Sequence, residues 1–225
     1  MAVKKWVCEK GVLTWEALRQ MLLDDYQGSE TVRLLLANKS PRFGNDLAEV
    51  DDLNNQVNAL HADFFWQHVD SRNGRYTCGV WPVNCHVDAG RWTAATPDGR
   101  HTGAPLVDGV GACQGADRAG PTALLKSVAS LNNNDHWTAG NTCNIKWSAT
   151  GVRSEDGLAR MRDLVTTFMH LGGQELQINV VDAGTLVAAM EHPEEYQDLV
   201  VRVAGYSAYF TRLRADIQQE ILSRT

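Results

Sequence analysis

Two neighbouring residues, Cys85 and His86, are of types that can carry out chemistry. A thiol and an imidazole can bind a metal or act as nucleophile and base. In a strand, however, adjacent side chains point to opposite faces, so the two would not act together. The other cysteines form neither a C-x-x-C pair nor a zinc-type spacing with histidine: Cys8, Cys78, Cys113 and Cys143. We therefore predict no metal site and reduced, mostly buried thiols, as in a cytosolic protein.

A second candidate is Gly205, which follows the apolar run 199–203 and precedes an aromatic segment. This pattern predicts a strand that turns at Gly205 into an aromatic loop. Glycine has an ordinary explanation there, because a turn can require positive φ or a close approach of backbone. Only further motifs around Gly205 can favour a chemical role over this one.

The elements that must position these residues begin with helices. Thr14 can cap a helix in which Leu18, Met21 and Leu22 share one face. Apolar residues at spacings of three and four predict a longer helix over 50–64. The N-terminal third is therefore predicted to be helical.

The middle of the chain changes in character at Arg75. Residues 75–84 are rich in aromatic and β-branched side chains and predict a strand. Residues 96–120 have the composition of a loop but are too many for an idle one in a small domain. Pro121 suits the first turn of a helix that runs to about Leu131.

The last third alternates between strand and helix patterns. The predicted strands cover 142–147, 174–181 and 199–203, and the predicted helices begin at Ser154, Asp182 and Leu213. Such alternation favours an α/β fold with parallel strand pairs. No stretch has the composition of a linker, so we predict a single domain over residues 1–225.

Composition narrows the class of protein. The chain has 225 residues, 44% of them hydrophobic, which is enough for a sizeable core. Its formal net charge is −6 without a cluster of Lys or Arg, which argues against a nucleic-acid or anionic-membrane partner. No apolar run approaches a membrane span, and no signal-like segment follows Met1. We therefore expect a cytoplasmic protein.

A series of short motifs runs through the chain in order, at 43–46, 96–100, 105–109, 114–115, 120–123, 126–128, 172–173, 177–181 and 192–208, the last of which contains Gly205. In order and spacing, these motifs taken together resemble the glycyl radical enzymes of the pyruvate formate-lyase superfamily. The segment 192–208 resembles the glycyl radical signature of that family. The resemblance extends over nearly the whole chain and overturns the ordinary explanation of Gly205.

The resemblance implies a fold and a radical site. The fold would be the C-terminal part of a ten-stranded α/β barrel, with helices outside and a glycine-bearing loop inserted inside. The glycine radical domain would cover roughly 172–225. Gly205 would lose one Cα hydrogen, and without a Cβ the radical centre could become planar and share its electron with the flanking amide groups. A separate iron–sulfur S-adenosylmethionine activase would remove this hydrogen, and no cofactor would be bound.

The resemblance also implies surroundings for Gly205. Because dioxygen destroys such a radical, an anaerobic setting and a buried Gly205 loop are expected. The candidates that support the loop are Arg202, Tyr206 and Ser207, and Arg202 has a structural or solvated role as an equal alternative. Tyr209 and Phe210 are expected to pack in the core.

Three residues are candidates for lining the substrate cavity: Trp81, Asn84 and His86. By resemblance they lie on a strand that faces the barrel interior, where side chains two apart share a face. His86 could also act as an acid or base in a lyase.

The residue that attacks the substrate is not recognised in this sequence. The thiyl cysteine of the family lies in a Gly-Cys-x-Glu loop, and none of the five cysteines has that context. One hypothesis is that the chain is a portion of an enzyme, with a complementary N-terminal polypeptide that supplies the cysteine, in a homodimer or larger assembly. The alternative is a non-catalytic, exchangeable radical-domain protein that repairs oxygen-damaged relatives.

The reaction type follows from the residues around Gly205. Residues 201–208 look more like the dehydratase and lyase branches than like pyruvate formate-lyase itself. The resemblance therefore implies cleavage of a C–X bond by a lyase, dehydratase or decarboxylase type of reaction. The substrate would be a small organic molecule, whose identity the sequence leaves open.

Overall fold

The computed structural model describes residues 1–81, 85–131, 135–203 and 205–223. The helices, in chain order, are α1 (Trp15–Leu23), α2 (Glu30–Lys39), α3 (Ala48–Trp66), α4 (Cys85–Arg91), α5 (Pro121–Ser130), α6 (Glu155–His170), α7 (Ala183–Glu191) and α8 (Ala215–Ser223). The strands are β1 (Gly79–Val80), β2 (Gly140–Lys146), β3 (Glu175–Asn179), β4 (Val200–Arg202) and β5 (Ser207–Tyr209). A π-helical turn, Lys4–Glu9, precedes α1. None of the described helices has the length and apolar character needed to cross a bilayer.

The helices begin where polar side chains satisfy their first amides. Thr14 Oγ1 accepts a hydrogen bond from Ala17 N at 3.1 Å, and Ser154 Oγ accepts one from Gly157 N at 3.0 Å. Each bond satisfies an amide that the helix itself leaves without a partner. Pro121 occupies the first turn of α5, where its missing N–H costs nothing. The predicted helix starts at Thr14, Ser154 and Pro121 are therefore confirmed.

The chain divides into two units by its internal contacts. Unit 1 comprises Met1–Arg42 and Cys85–Leu106, and unit 2 comprises Phe43–Asn84 and Val107–Thr225. The single domain over 1–225 stays a prediction.

Unit 1 includes the first residues of the predicted loop 96–120 and holds them in place. The Tyr26 hydroxyl donates to the Thr96 carbonyl at 2.7 Å, and Arg33 Nη1 donates to the Gly99 carbonyl at 2.9 Å. Arg42 Nη1 donates to Asp98 Oδ2, also at 2.9 Å. Burial raises the pKa of Tyr26 to about 12. Residues 96–99 are thus an ordered structural part, in agreement with the expectation that this loop is not idle.

The strand predicted over 75–84 is largely wrong. Among the described residues of that segment, Gly79 and Val80 alone form a strand, and Cys85 and His86 belong to α4 instead. Strand propensity reflects packing against neighbouring strands. The residues before β1 have little such packing, since Tyr76 is half exposed. The chain therefore becomes a strand where it pairs with β2.

Unit 2 contains a parallel three-stranded sheet in the order β1-β2-β3. Gly79 pairs with Gly140, and a Cβ on Gly79 would lie 2.4 Å from the Gly140 carbonyl oxygen. Glycine is required at Gly79 because the two backbones approach closely there. The prediction of parallel strand pairs is confirmed.

The two faces of this sheet differ in character. One face enters an apolar core with α5 and α6, which includes Cys143, Ile145, Leu176, Ile178, Leu125, Val128 and Phe168. The other face is polar and carries Thr142, Asn144 and Lys146 from β2 beside Glu175, Gln177 and Asn179 from β3. Side chains alternate between faces along a strand, so each strand contributes to both.

The expectation of mostly buried thiols is wrong. Cys143 is buried in the core, whereas Cys8 and Cys85 are exposed, and Cys78 and Cys113 are partly exposed. Cys8 and Cys85 occupy helical positions that face solvent, whereas Cys143 lies on the apolar face of the sheet.

Thiol alkylation is expected to separate these cysteines. Burial raises the pKa of the Cys143 thiol from 9.0 to about 12, so its thiolate is about a thousandfold scarcer than that of an ordinary thiol near neutral pH. Iodoacetamide should therefore label Cys8 and Cys85 rapidly and Cys143 hardly at all, as measured by peptide mass spectrometry. In urea the three rates should converge. Equal labelling of Cys143 and Cys8 in the folded protein would contradict this burial.

Candidate radical hairpin

Gly205 lies in the tight turn between β4 and β5. The two strands pair antiparallel, with Arg202 opposite Ser207, and the Val203 amide donates to the Tyr206 carbonyl at 2.9 Å beyond them. Gly205 has φ +74°, a conformation that a side chain disfavours. The predicted strand that turns at Gly205 is therefore present, but the segment after it returns as a second strand. We call residues 200–209 the glycine hairpin.

The hairpin is fastened to β3 by the carboxamide of Asn179. Asn179 Oδ1 accepts from the Arg202 amide at 2.8 Å, and Asn179 Nδ2 donates to the Arg202 carbonyl at 2.9 Å. The side chain thus satisfies both backbone groups of one residue, as a neighbouring strand would. Two bonds of about 1 kcal/mol each hold the hairpin just before the turn.

Gln177 reaches the turn itself. This side chain is only 7% exposed, and its Oε1 accepts from Gly205 N at 3.3 Å and from Arg202 Nε at 3.0 Å. Arg202 is half-buried, and its Nη1 lies 3.4 Å from Ser207 Oγ across the hairpin. The structure therefore joins Gly205 and Arg202 through a glutamine that the sequence did not identify as a site residue, and Arg202 in turn contacts Ser207.

Glu175 anchors the other end of Gln177. Gln177 Nε2 donates to Glu175 Oε1 at 2.7 Å, and Thr142 Oγ1 donates to Glu175 Oε2 at 2.8 Å. The hydrogen bond from Gln177 has the largest effect on the pKa of Glu175 and lowers it, and the bond from Thr142 lowers it further. The nearby positive charge of Arg202 acts in the same direction. Glu175 is therefore ionised near neutral pH and can only accept hydrogen bonds.

The sequence does contain a signal for this network. Glu175, Gln177 and Asn179 alternate with the apolar Leu176 and Ile178. Such alternation places all three polar side chains on one strand face. Which backbone they bind does not follow from this pattern, because the glycine hairpin lies more than twenty residues further along the chain.

The aromatic residues of the hairpin divide into two groups. Phe210 is fully buried, as predicted. The predicted core packing of Tyr209 is wrong, because its side chain is exposed and the Arg212 guanidinium carbon lies 4.9 Å from the centre of its ring. Tyr206 is 43% exposed, and Gly205 itself is exposed. The expected burial of the Gly205 loop is thus not found, because the described part of this chain places no further layer over the tip of the two-stranded hairpin.

Two of the three candidates for the substrate cavity, Trp81 and His86, lie among the described residues. Trp81 directly follows β1 and is 57% exposed. Its ring packs beside Gly140, because a Cβ added to Gly140 would lie 3.3 Å from the nearest ring atom. His86 is buried in α4 of unit 1, so its predicted place on a strand is wrong. Asn84 lies outside the described residues. No three His, Cys, Asp or Glu side chains converge as metal ligands within the described ranges.

Two family models match the chain. The model for the glycine radical matches residues 106–211, and the pyruvate formate lyase-like model matches residues 1–90. The first match contains the whole glycine hairpin together with β2 and β3.

Individual relatives match the chain over its full length. The trans-4-hydroxy-L-proline dehydratase of Clostridioides difficile is 34% identical over 100% of this chain and 28% of its own length. The isethionate sulfite-lyase of Desulfovibrio desulfuricans is 37% identical over 100% of this chain and 27% of its own. The chain therefore spans a little over a quarter of these relatives and corresponds to their C-terminal part.

Solved structures have the same fold. The glycerol-bound B12-independent glycerol dehydratase of Clostridium butyricum is 38% identical, with a TM-score of 0.91 over 99% of this chain and 28% of that one. The hydroxyproline dehydratase of Clostridioides difficile, with trans-4-hydroxy-L-proline bound, is 33% identical. Its TM-score is 0.93, and the match covers 100% of this chain and 28% of that one. The α/β fold is thus the C-terminal part of a glycyl radical enzyme barrel, as predicted.

Proposed function

This chain belongs to the glycyl radical enzymes of the pyruvate formate lyase-like family, and on that premise we propose that Gly205 stores the radical. The observation that carries the proposal is the position of Gly205 at the tip of the glycine hairpin, inside the segment that the glycine radical model matches. Its exposed position leaves Gly205 accessible to another protein. Arg202, Tyr206 and Ser207 belong to the same hairpin and support the loop in this proposal.

The radical would be formed by removal of one hydrogen atom. A carbon radical that the activase generates from S-adenosylmethionine takes the hydrogen from Gly205 Cα, so that one C–H bond breaks and another forms. The unpaired electron left on Cα is shared with the amide nitrogen and the carbonyl on either side. An ordinary side chain carries no unpaired electron, so the first abstraction requires a radical that is generated outside this protein.

The stored radical would then be passed to a cysteine outside the present sequence. Gly205 Cα recovers a hydrogen atom from the thiol, and a thiyl radical remains on the cysteine. The sequence has no Gly-Cys-x-Glu segment. We therefore propose that a complementary polypeptide, or further residues of a longer chain, supply the thiyl cysteine in a homodimer or larger assembly.

The reaction proposed is cleavage of a C–X bond in a small organic molecule. The relatives are glycyl radical dehydratases and lyases, and another is named an indoleacetate decarboxylase. Trp81, Asn84 and His86 remain the proposed substrate-lining residues. For Trp81, its exposed ring at the carboxyl end of a parallel strand supports this role, since such strand ends commonly border ligand sites.

An exchangeable repair protein is the alternative function. Repair would require little beyond the glycine hairpin and its neighbours, whereas residues 1–90 of this chain match the separate pyruvate formate lyase-like model. That match favours the first proposal. The alternative requires that the chain restore turnover to an oxygen-cleaved, full-length relative. The first proposal expects no such restoration, because the relative's own barrel already contains the part that corresponds to residues 1–90.

Electron spin resonance after anaerobic activation tests the proposal directly. The protein, with an activase of the family and its complementary part, should show a doublet, because the one hydrogen left on the glycine Cα splits the signal. Protein that contains [2-13C]glycine should show additional splitting from the labelled carbon. A signal that the label does not change would place the radical on another residue type.

A further inference from the structure

We propose that Gln177 is a positioning residue that fixes the orientation of the Gly205 amide beside the radical centre. The inference rests on the proposed storage of the radical at Gly205. It is carried by the hydrogen-bonded series Thr142, Glu175, Gln177 and Gly205, which connects the sheet to the turn.

The orientation of the Gln177 carboxamide follows from its neighbours. Glu175 is an ionised carboxylate and only accepts, so the NH2 group of Gln177 must face it. Arg202 Nε and Gly205 N only donate, so the carbonyl oxygen must face them. Flipping the amide would place donor against donor and acceptor against acceptor. A buried glutamine with all three contacts satisfied in one orientation is therefore held rigidly.

This rigidity acts on the Gly205 amide, one of the two backbone groups that share the unpaired electron. The electron on Cα is shared with the neighbouring nitrogen only while the amide plane is aligned with the planar radical centre. Glycine alone would not hold this plane, because its φ and ψ are the least restricted of any residue. An acceptor on the Gly205 N–H holds the plane and also increases electron donation from the nitrogen.

The charges around Gln177 agree with this role. The guanidinium of Arg202 lies on one side and the carboxylate of Glu175 on the other, with the neutral carboxamide between them. The two charges attract one another and favour the carboxamide dipole in the observed direction. Arg202 is itself held by Asn179 through its backbone, so its position does not depend on Gln177 alone.

Amide hydrogen exchange on the full chain tests the contact without any radical. Gln177→Met has a similar length and removes the acceptor, and it should accelerate exchange of the Gly205 amide about fivefold, as expected for a lost hydrogen bond. Gln174→Met is the matched control, because Gln174 is exposed just before β3. Unchanged exchange in Gln177→Met would overturn the proposal. If Gln177→Met does not fold, Glu175→Gln should give a smaller increase, since it leaves the carboxamide free to flip.

The radical itself provides the second measurement. The activated Gln177→Met protein should show a changed hyperfine splitting and a shorter radical lifetime than wild type, while Gln174→Met should match wild type. Equal splitting and lifetime in Gln177→Met and wild type would overturn the positioning role. Absence of a doublet in wild type as well would instead overturn radical storage, and the exchange result would still decide whether Gln177 orders the turn.

Discussion

Substitution of Gly205 by alanine is expected to abolish the glycyl radical signal. A methyl group on Cα crowds the planar arrangement that the radical requires, and it obstructs the approach of the activase to the hydrogen. The backbone also opposes the change, because φ +74° is unfavourable for a residue with a Cβ by about 1 kcal/mol. The measurement is the electron spin resonance doublet after anaerobic activation of wild type and variant side by side.

Two other glycines provide matched controls for this substitution. Gly115 has φ +69°, and a Cβ added there would meet no atom within 4 Å, so Gly115→Ala imposes nearly the same backbone strain elsewhere. Gly184 has open space and no positive φ, so Gly184→Ala tests substitution alone. Both controls should keep the doublet. A doublet of normal intensity in Gly205→Ala would show that the radical lies on another residue.

Admission of air to the activated protein is expected to cut the chain at Gly205. Dioxygen couples with the carbon radical to form a peroxyl group on Cα, and the oxidised backbone breaks there. The cut would remove about residues 206–225, which are 20 of the 225. Intact-mass spectrometry would detect both fragments. Protein that was never activated, and Gly205→Ala treated identically, should remain at full length.

The exposure of Gly205 also predicts that cleavage by dioxygen is fast in this chain alone. The glycine lies exposed at the hairpin tip in this chain, so dioxygen can reach it without any opening of the fold. Binding of the complementary part of the enzyme should cover the tip and slow the cleavage. A time course of fragment formation with and without that part measures the difference. Persistence of the full-length mass after the radical signal has disappeared would contradict cleavage at Gly205.

Local sequence determined those features that depend on a few adjacent residues. Thr14 and Ser154 can bond amides three residues ahead of them, and Pro121 favours the first turn of a helix, so these helix starts were predictable. The turn at Gly205 follows from the same short-range logic, because a glycine after an apolar run permits positive φ. The ordered motifs along the chain, among them the segment around Gly205, were also sufficient to predict the family.

Tertiary structure decided what depends on partners that are distant in sequence. The segment 75–84 has strand-forming residues, yet among its described residues only Gly79 and Val80 form a strand, where β2 lies beside them. Gln177 and Asn179 could be assigned to a strand face, but only the packing of the hairpin on that face brings their carboxamides to Gly205 and Arg202. A hydrogen bond forms only when donor and acceptor meet within about 3 Å, and that distance is set by the fold rather than by the local sequence. The sequence therefore identifies the glycine, and the fold identifies the side chains that hold it.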